Sequence, residues 1–495
     1  MLDKLKHTIR HTAVYSLGNL ATKLVGIVLL PLYTSHLTLS DYGVLSIFEI
    51  TIMISVQFLV FGLPQSYLRL MPDRSKTDTK DSTLFTLFLA LLLIGLLVGT
   101  LVHSLSGFLS SLFSQETLFQ TYITISGWVI GVSIINSLFL STLRAKEQSV
   151  LYITANLIKL TVTLSLNVLF ITVFELGVMG ILYAFLSGEF LLLLLLLPSQ
   201  LKNVIFHFDR KLFNKAIRYG YPLIFSSLAH MLLNMGNNYI LKLLVSYDQV
   251  GLYNLAYKVA GVLNVFIIQS FTLGFLPIAF KLYLQPGANR YFSKTMTYFT
   301  FALVWSGLAL ALFSGELVRF FSKNQDYWPA AEVVPILILS FVLAGVRAVS
   351  ALGLYLSKET KYLARNTSIA LAVSIALNFL VIPKWGVLGS AWATVLAFAL
   401  LLTLTFRDAQ RFYPIHYEYK KLALMGGVGL TLFTIVLFLP FTGYLSFLSK
   451  GVLLLLFPFL LYPFNFYEPI ELLRIQQSWQ KWRDPRRWKR NLKNK

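Results

Sequence analysis

The feature that most limits this chain is a succession of apolar runs, each about as long as a bilayer is thick. A helix needs about 20 apolar residues to cross ~30 Å of hydrocarbon, and fourteen such runs can be read along the 495 residues. They cover 11–34, 42–69, 82–105, 118–143, 151–173, 177–197, 217–246, 249–281, 293–314, 331–357, 361–382, 386–406, 420–440 and 444–463, numbered here as spans 1 to 14. Short links at 35–41, 174–176 and 247–248 make neighbouring runs antiparallel hairpins, and no water-soluble domain interrupts the series. Hydrophobic residues make up 56% of the chain and charged residues 13%, with a mean hydropathy of +0.70. Soluble domains sit nearer 45–50% and about 25%, so a water-soluble core could not hide this much oil. Span 1 is too long for a signal-peptide core and lacks a small-residue cleavage site, so it reads as an uncleaved helix. The expected fold is an all-α polytopic membrane protein of about 14 transmembrane helices.

Charge then sets the expected topology. Lys and Arg number 42 against 21 Asp and Glu, a net charge of +21. Of these basic residues, 33 fall in the N-terminus, the C-terminal tail and the links after even-numbered spans, whereas Arg319, Lys323, Lys384 and Lys450 alone occupy the opposite links. Positive charge gathers in cytoplasmic loops, so both termini are expected in the cytoplasm, and the excess is a topology signal rather than a nucleic-acid footprint. With no cysteine, disulfides and thiol chemistry are excluded. Seven scattered histidines offer no metal-ligand pattern, and no cofactor is expected. No Gly-Lys dipeptide occurs, so there is no phosphate-binding loop to drive transport by ATP.

The two halves of the chain echo each other. Leu151-Tyr152, Asn156, Asn167, Gly177-Val178-Met179-Gly180 and Ala184 recur as Lys361-Tyr362, Asn366, Asn378, Gly386-Val387-Leu388-Gly389 and Ala393. Lys146-Glu147 matches Lys358-Glu359, and Gln57, Gly62 and Arg69 match Gln269, Gly274 and Lys281, all 212 apart; Gly43 matches Gly251. Each period holds six spans, an even number, so both copies lie the same way up about an axis along the membrane normal. This divides the chain into an N-lobe over 1–200 (spans 1 to 6), a C-lobe over 201–410 (spans 7 to 12), a hairpin of spans 13 and 14 over 411–465 and a basic tail over 466–495. In the tail, Leu472, Ile475, Trp479 and Trp482 alternate with basic residues, as in an interfacial helix drawn to anionic lipid. Two-lobed repeats commonly bind substrate between the lobes and expose it alternately to each side, which favours a transporter.

Particular residues carry a family resemblance. Leu39-Ser40-Asp41-Tyr42-Gly43-Val44-Leu45, Phe61-Gly62-Leu63-Pro64 with Arg69, and Val250-Gly251-Leu252-Tyr253 resemble the polysaccharide transporter, or oligosaccharide flippase, family of the multidrug/oligosaccharidyl-lipid/polysaccharide exporter superfamily. The layout of two lobes plus a hairpin is similar to that family and to its lipid II flippase relatives. The resemblance implies a flippase, not an enzyme, of the bacterial plasma membrane. It would move an undecaprenyl-pyrophosphate-linked oligosaccharide to the outer leaflet for cell-surface polysaccharide biosynthesis, with membrane lipids and polysaccharide polymerase machinery as partners.

Five basic residues lie inside predicted spans, namely Lys23, Lys159, Lys242, Lys258 and Arg347, against two acids, Glu49 and Glu189. Each cation at mid-bilayer costs roughly 2.5–3.5 kcal/mol on insertion scales, so each must face a wet cavity or a partner. Lys23 shares a face with Asn19 and lies about 18 Å from either end of span 1 at 1.5 Å per residue. Polar stripes at helical spacing run through span 5 (Asn156, Lys159, Thr163, Asn167), span 11 (Asn366, Ser374, Asn378) and span 7 (His230, Asn234, Asn237, Asn238). The candidate substrate cavity is therefore lined by Lys23, Lys159, Lys258, Arg347, Asn19, Glu49, Asn156 and Asn234, a basic lining suited to pyrophosphate. Competing readings exist. Asn and Thr stripes serve equally well as interhelical hydrogen bonds, Lys242 can snorkel, His230 can be a packed polar group, and Glu49 with Lys258 can form an ion pair that leaves neither free. A multidrug exporter would be expected to carry interior acids, and a glycan polymerase a larger outer loop than any here.

Overall fold

The computed structural model describes residues 26–70, 82–113, 117–202, 204–438, 443–469 and 473. Lys23, Asn19 and all of the tail but 466–469 and 473 lie outside the described residues. Among the described residues there is no strand, and eleven helices are long and apolar enough to cross a membrane. One of them, Lys361–Phe412, is two spans joined at Gly386, whose φ of 53° and ψ of −131° break the helix. Span 7 is the amphipathic helix Arg210–Met235, capped by the Asp209 carboxylate accepting from Leu212 N–H (3.0 Å), and it continues as Asn237–Leu244. With the described end of span 1 at Leu30–His36, about 14 helices account for the chain.

Large apolar side chains stand in the open along these helices. On span 3 (Ser82–Phe113), Leu93, Leu97 and Leu101 form an exposed row. Such a row would drive aggregation in water and is what a lipid-facing surface requires.

The repeat is visible in the backbone. Gly177 and Gly386, matched by sequence, open spans 6 and 12 with the same left-handed φ of 53°. Thr38 and Ser246, 208 residues apart, cap spans 2 (Leu39–Leu59) and 8 (Tyr247–Leu263), accepting from the N–H groups of Asp41 (3.1 Å) and Gln249 (3.4 Å). The turns before spans 5 and 11 place left-handed residues at Glu147 and Lys358, one residue out of the sequence register given above.

Span 2 departs from the expected continuous 42–69 helix. It stops at Leu59, passes through Phe61 and Gly62 in left-handed conformation (φ 48° and 65°) and restarts at Leu63–Leu70. Gly62 is needed there because a Cβ would fall 2.4 Å from the Gly220 carbonyl oxygen of span 7.

Packing divides the chain into two compact units. One comprises 1–281 and 314–414, the other 282–313 and 415–495. In the second, span 9 (Ala288–Leu312) packs with spans 13 (Tyr419–Phe438) and 14 (Gly443–Leu460) around Leu308, Leu312, Met425, Leu432 and Phe457. The lobes named above are a division by repeat, whereas these units are a division by contact.

Candidate functional site

The larger unit carries the charged and polar positions singled out inside the spans. Glu49 of span 2 and Lys258 of span 8 form an ion pair of 3.4 Å, their side chains 23% and 21% exposed. Lys159 of span 5 (Ser149–Val168) pairs with Glu189 of span 6 (Gly177–Leu201) at 2.5 Å, and Asn136 of span 4 (Thr117–Ala145) donates to the other Glu189 oxygen at 2.7 Å. Both acids anticipated inside the spans are thus spent on lysines. Pairing offsets part of the desolvation penalty that either group would bear alone, and removing one partner leaves the other's charge uncompensated.

Arg347, in span 10 (Ala330–Ser350), stands apart. Among the described residues it has no carboxylate partner, and its Nε is buried without a hydrogen-bond partner. The His230 imidazole of span 7 feels the Arg347 charge, and its residue keeps part of its surface open. One turn on, Asn234 donates to the His230 carbonyl (2.6 Å) and accepts from the Tyr257 hydroxyl of span 8 (3.5 Å). Arg347 thus carries a formal positive charge with no acid to cancel it among the described residues, and the His230 that feels it is tied to Asn234 and through it to Tyr257.

The polar stripes of spans 5 and 11 are tied into the packing. Asn156 donates back to the Tyr152 carbonyl of its own helix (2.7 Å), and Asn167 accepts from the Tyr33 hydroxyl (3.1 Å). Asn366 donates to Asp408 (2.7 Å), which also pairs with Arg365 (2.7 Å). Asn378 donates to Asn237 (3.1 Å), which in turn donates to Thr394 (2.7 Å) and Tyr253 (3.2 Å). This buried cluster is neutral throughout. Asn136, Asp408 and Thr394 escaped the sequence reading because each lies in or beside a different span from its partner. Among the described residues no three His, Asp or Glu side chains come together as metal ligands would.

Comparison with known proteins gives a consistent answer. The sequence profile of the polysaccharide biosynthesis protein family matches residues 8–283. No curated protein sequence matches significantly. A lipid II flippase, MurJ, in an inward closed conformation superposes with a TM-score of 0.76 at 14% identity, covering 91% of this chain and 99% of that one. An inward-facing multidrug resistance transporter of the MATE family gives 0.66 at 14% identity, over 79% and 94% of the two chains. A superfamily transporter from Pyrococcus furiosus, described as having a binding pocket of reversed polarity, gives 0.61 at 16% identity, over 82% and 95%. At such identities the likeness is one of fold, and it is the profile match over more than half the chain that decides membership. The chain belongs to the polysaccharide biosynthesis protein family, and it shares the fold of the lipid II flippase and of the multidrug-resistance transporters it superposes on.

Proposed function

We propose that the protein is a flippase that carries a polyprenyl-pyrophosphate-linked oligosaccharide from the cytoplasmic to the outer leaflet, its two lobes alternately exposing a cleft between them. The observation that supports this reading is Arg347. A guanidinium held inside a transmembrane bundle without an acid is expensive unless it serves an ion that comes and goes, and a fork of five donors matches phosphate oxygens. Asn234 and His230, whose imidazole feels the Arg347 charge, would serve as further polar groups for the diphosphate or its first sugar. Lys23 and Asn19 would face the same cleft from span 1, and Lys159, Lys258, Glu49 and Asn156 would line its walls as pairs or polar contacts. The pairing of Glu49, Glu189 and Asp408 argues against export of cationic drugs, which would need an acid free to meet the cation.

The reading extends to a bacterial plasma membrane with both termini cytoplasmic and to delivery of the carried glycan to polymerase machinery outside. Because the chain has no cysteine, an impermeant thiol reagent applied to intact cells should label Gly443→Cys and spare Gln477→Cys. The direct test is translocation of an undecaprenyl-diphosphate oligosaccharide in reconstituted vesicles. Arg347→Lys should keep most of the rate and Arg347→Ala should lose about tenfold or more, the scale of one charge-assisted contact of 1.5–3 kcal/mol. Undiminished transport by Arg347→Glu would contradict an anionic substrate.

A further inference from the structure

Two symmetry-related helices meet at the Glu49–Lys258 pair, and a chain of contacts leads away from it. The Lys258 Nζ lies 5.2 Å from the centroid of the Tyr42 ring, seven residues earlier on span 2 than Glu49. That ring stands edge-on to Tyr327, centroids 5.9 Å apart. Tyr327, fully buried, directs its hydroxyl at the carbonyl oxygens of Leu37 (3.1 Å) and Thr38 (2.9 Å), where span 1 turns into span 2. Beside it the Thr34 hydroxyl reaches the Phe321 carbonyl at 2.7 Å. Along the same seam Gly43 and Gly251 interlock. A Cβ on Gly43 would lie 1.9 Å from the Tyr247 carbonyl oxygen, and one on Gly251 would lie 2.4 Å from that of Leu39.

We propose that the Glu49–Lys258 pair is the clamp that keeps the two repeat halves together at this end, and that Tyr42 is the positioning residue that passes its state to Tyr327. The glycine interlock and the Tyr327 hydroxyl give the closed end its shape, while the ion pair supplies the only contact in the series that a competing ion can undo. The proposal rests on the reading above in one respect, that an anion entering beside Arg347 competes with Glu49 for Lys258. A ligand shifts a two-state equilibrium only through different affinity for the two states, and an anion that reaches Lys258 only when Glu49 has let go has that difference built in.

The clamp can be tested without any transport measurement. Spin labels on Ser35→Cys and Lys323→Cys, both exposed positions at this end, should report one short distance in lipid nanodiscs. Glu49→Gln, and separately Lys258→Gln, should raise the ratio of long to short distances by roughly tenfold or more with no ligand present. The swapped protein, Glu49→Lys with Lys258→Glu, should return to the short distance. Tyr42→Ala should open the end with the pair intact, whereas Tyr42→Phe should not. An unchanged short distance in both single variants, or a swapped protein that stays open, overturns the clamp. Inorganic pyrophosphate added to the wild-type protein should favour the long distance, and Arg347→Gln should abolish that response. A wild-type protein indifferent to pyrophosphate, with Glu49→Gln open, upholds the clamp and counts against the anionic reading instead.

Discussion

Spans 2 and 8 begin alike and end differently. Both start from a hydroxyl cap, Thr38 or Ser246, and both carry a glycine, Gly43 or Gly251, that lets one backbone touch the other. Two turns later their equivalent positions hold opposite charges, Glu49 and Lys258. Beyond that, span 2 breaks at Phe61-Gly62, whereas span 8 passes through a wide π turn at Asn264–Gln269 and continues as Ser270–Leu282. The repeat offset grows from 208 at the glycines to 209 at the charges and 212 at Gln57 and Gln269, and the π turn lies within the stretch where it grows most. Elements beside a pseudo-two-fold axis meet their own copies. Identical small residues serve there, but identical charges would repel, so the copies had to diverge at that position.

The sharpest challenge to this comparison uses an ion pair that the repeat does not duplicate. Lys159 and Glu189 lie within the N-lobe, and the corresponding C-lobe positions hold Ile369 and Phe398. Glu189→Phe alone should destabilise the protein by about 2–4 kcal/mol, since it strands a lysine that is only 27% exposed, while the double variant with Lys159→Ile should recover most of the loss. Thermal unfolding in detergent reads both, and a double variant as weak as the single one would show that the pair does more than cancel charge. Next in size, Gly43→Ala should cost about 1–3 kcal/mol, because the new methyl meets backbone rather than a movable side chain.

A smaller contrast separates the far ends of the same spans. Gly62→Ala should destabilise by about 1–2 kcal/mol through its left-handed φ and the Gly220 contact. Its equivalent, Gly274, sits in a helix with nothing within 4 Å of a Cβ, so Gly274→Ala should be neutral or stabilising by up to about 1 kcal/mol. Equal melting points for the two alanine variants would erase the asymmetry drawn here.

The smallest expected effect lies in the other unit. Burial raises the Glu418 carboxyl, but hydrogen bonds from Lys294 (2.7 Å), Thr297 (2.7 Å) and Lys421 (3.2 Å) outweigh it and hold the group below its ordinary value. Glu468 is also lowered, by its hydrogen bond from Lys294 and by Arg290 at 3.8 Å. A depressed folded value means that the stabilisation is complete above the unfolded carboxylate value of about 4.3 and disappears as pH falls through the folded one. Melting points measured between about pH 3 and 6 should therefore fall with acid, and Glu418→Gln should flatten that limb.

The spans were legible because crossing a bilayer leaves a long, one-dimensional signature, and the Gly177 and Gly386 breaks were legible because both copies of the repeat spell them. The Phe61-Gly62 break was not, since only the backbone of Gly220, a residue in another span, forces it. For the candidate site, an acid inside the leucine-rich stretch around Glu189 already demanded a partner. Which lysine answers it depends on how spans 5 and 6 face each other, and that is set by packing at Gly188 and Thr163. The grouping of span 9 with spans 13 and 14 is also a matter of packing that no repeat could disclose.

The central claim is that an anionic, lipid-linked glycan crosses the membrane beside Arg347. Mass spectrometry of polyprenyl-linked sugars in cells lacking the protein, complemented with wild type, Arg347→Lys or Arg347→Glu at matched levels, tests it most directly. The account predicts that a complete diphosphate-linked oligosaccharide accumulates without the protein and with Arg347→Glu, and clears with wild type and Arg347→Lys. Clearance by Arg347→Glu equal to wild type, or the absence of any accumulating lipid-linked sugar, would contradict it.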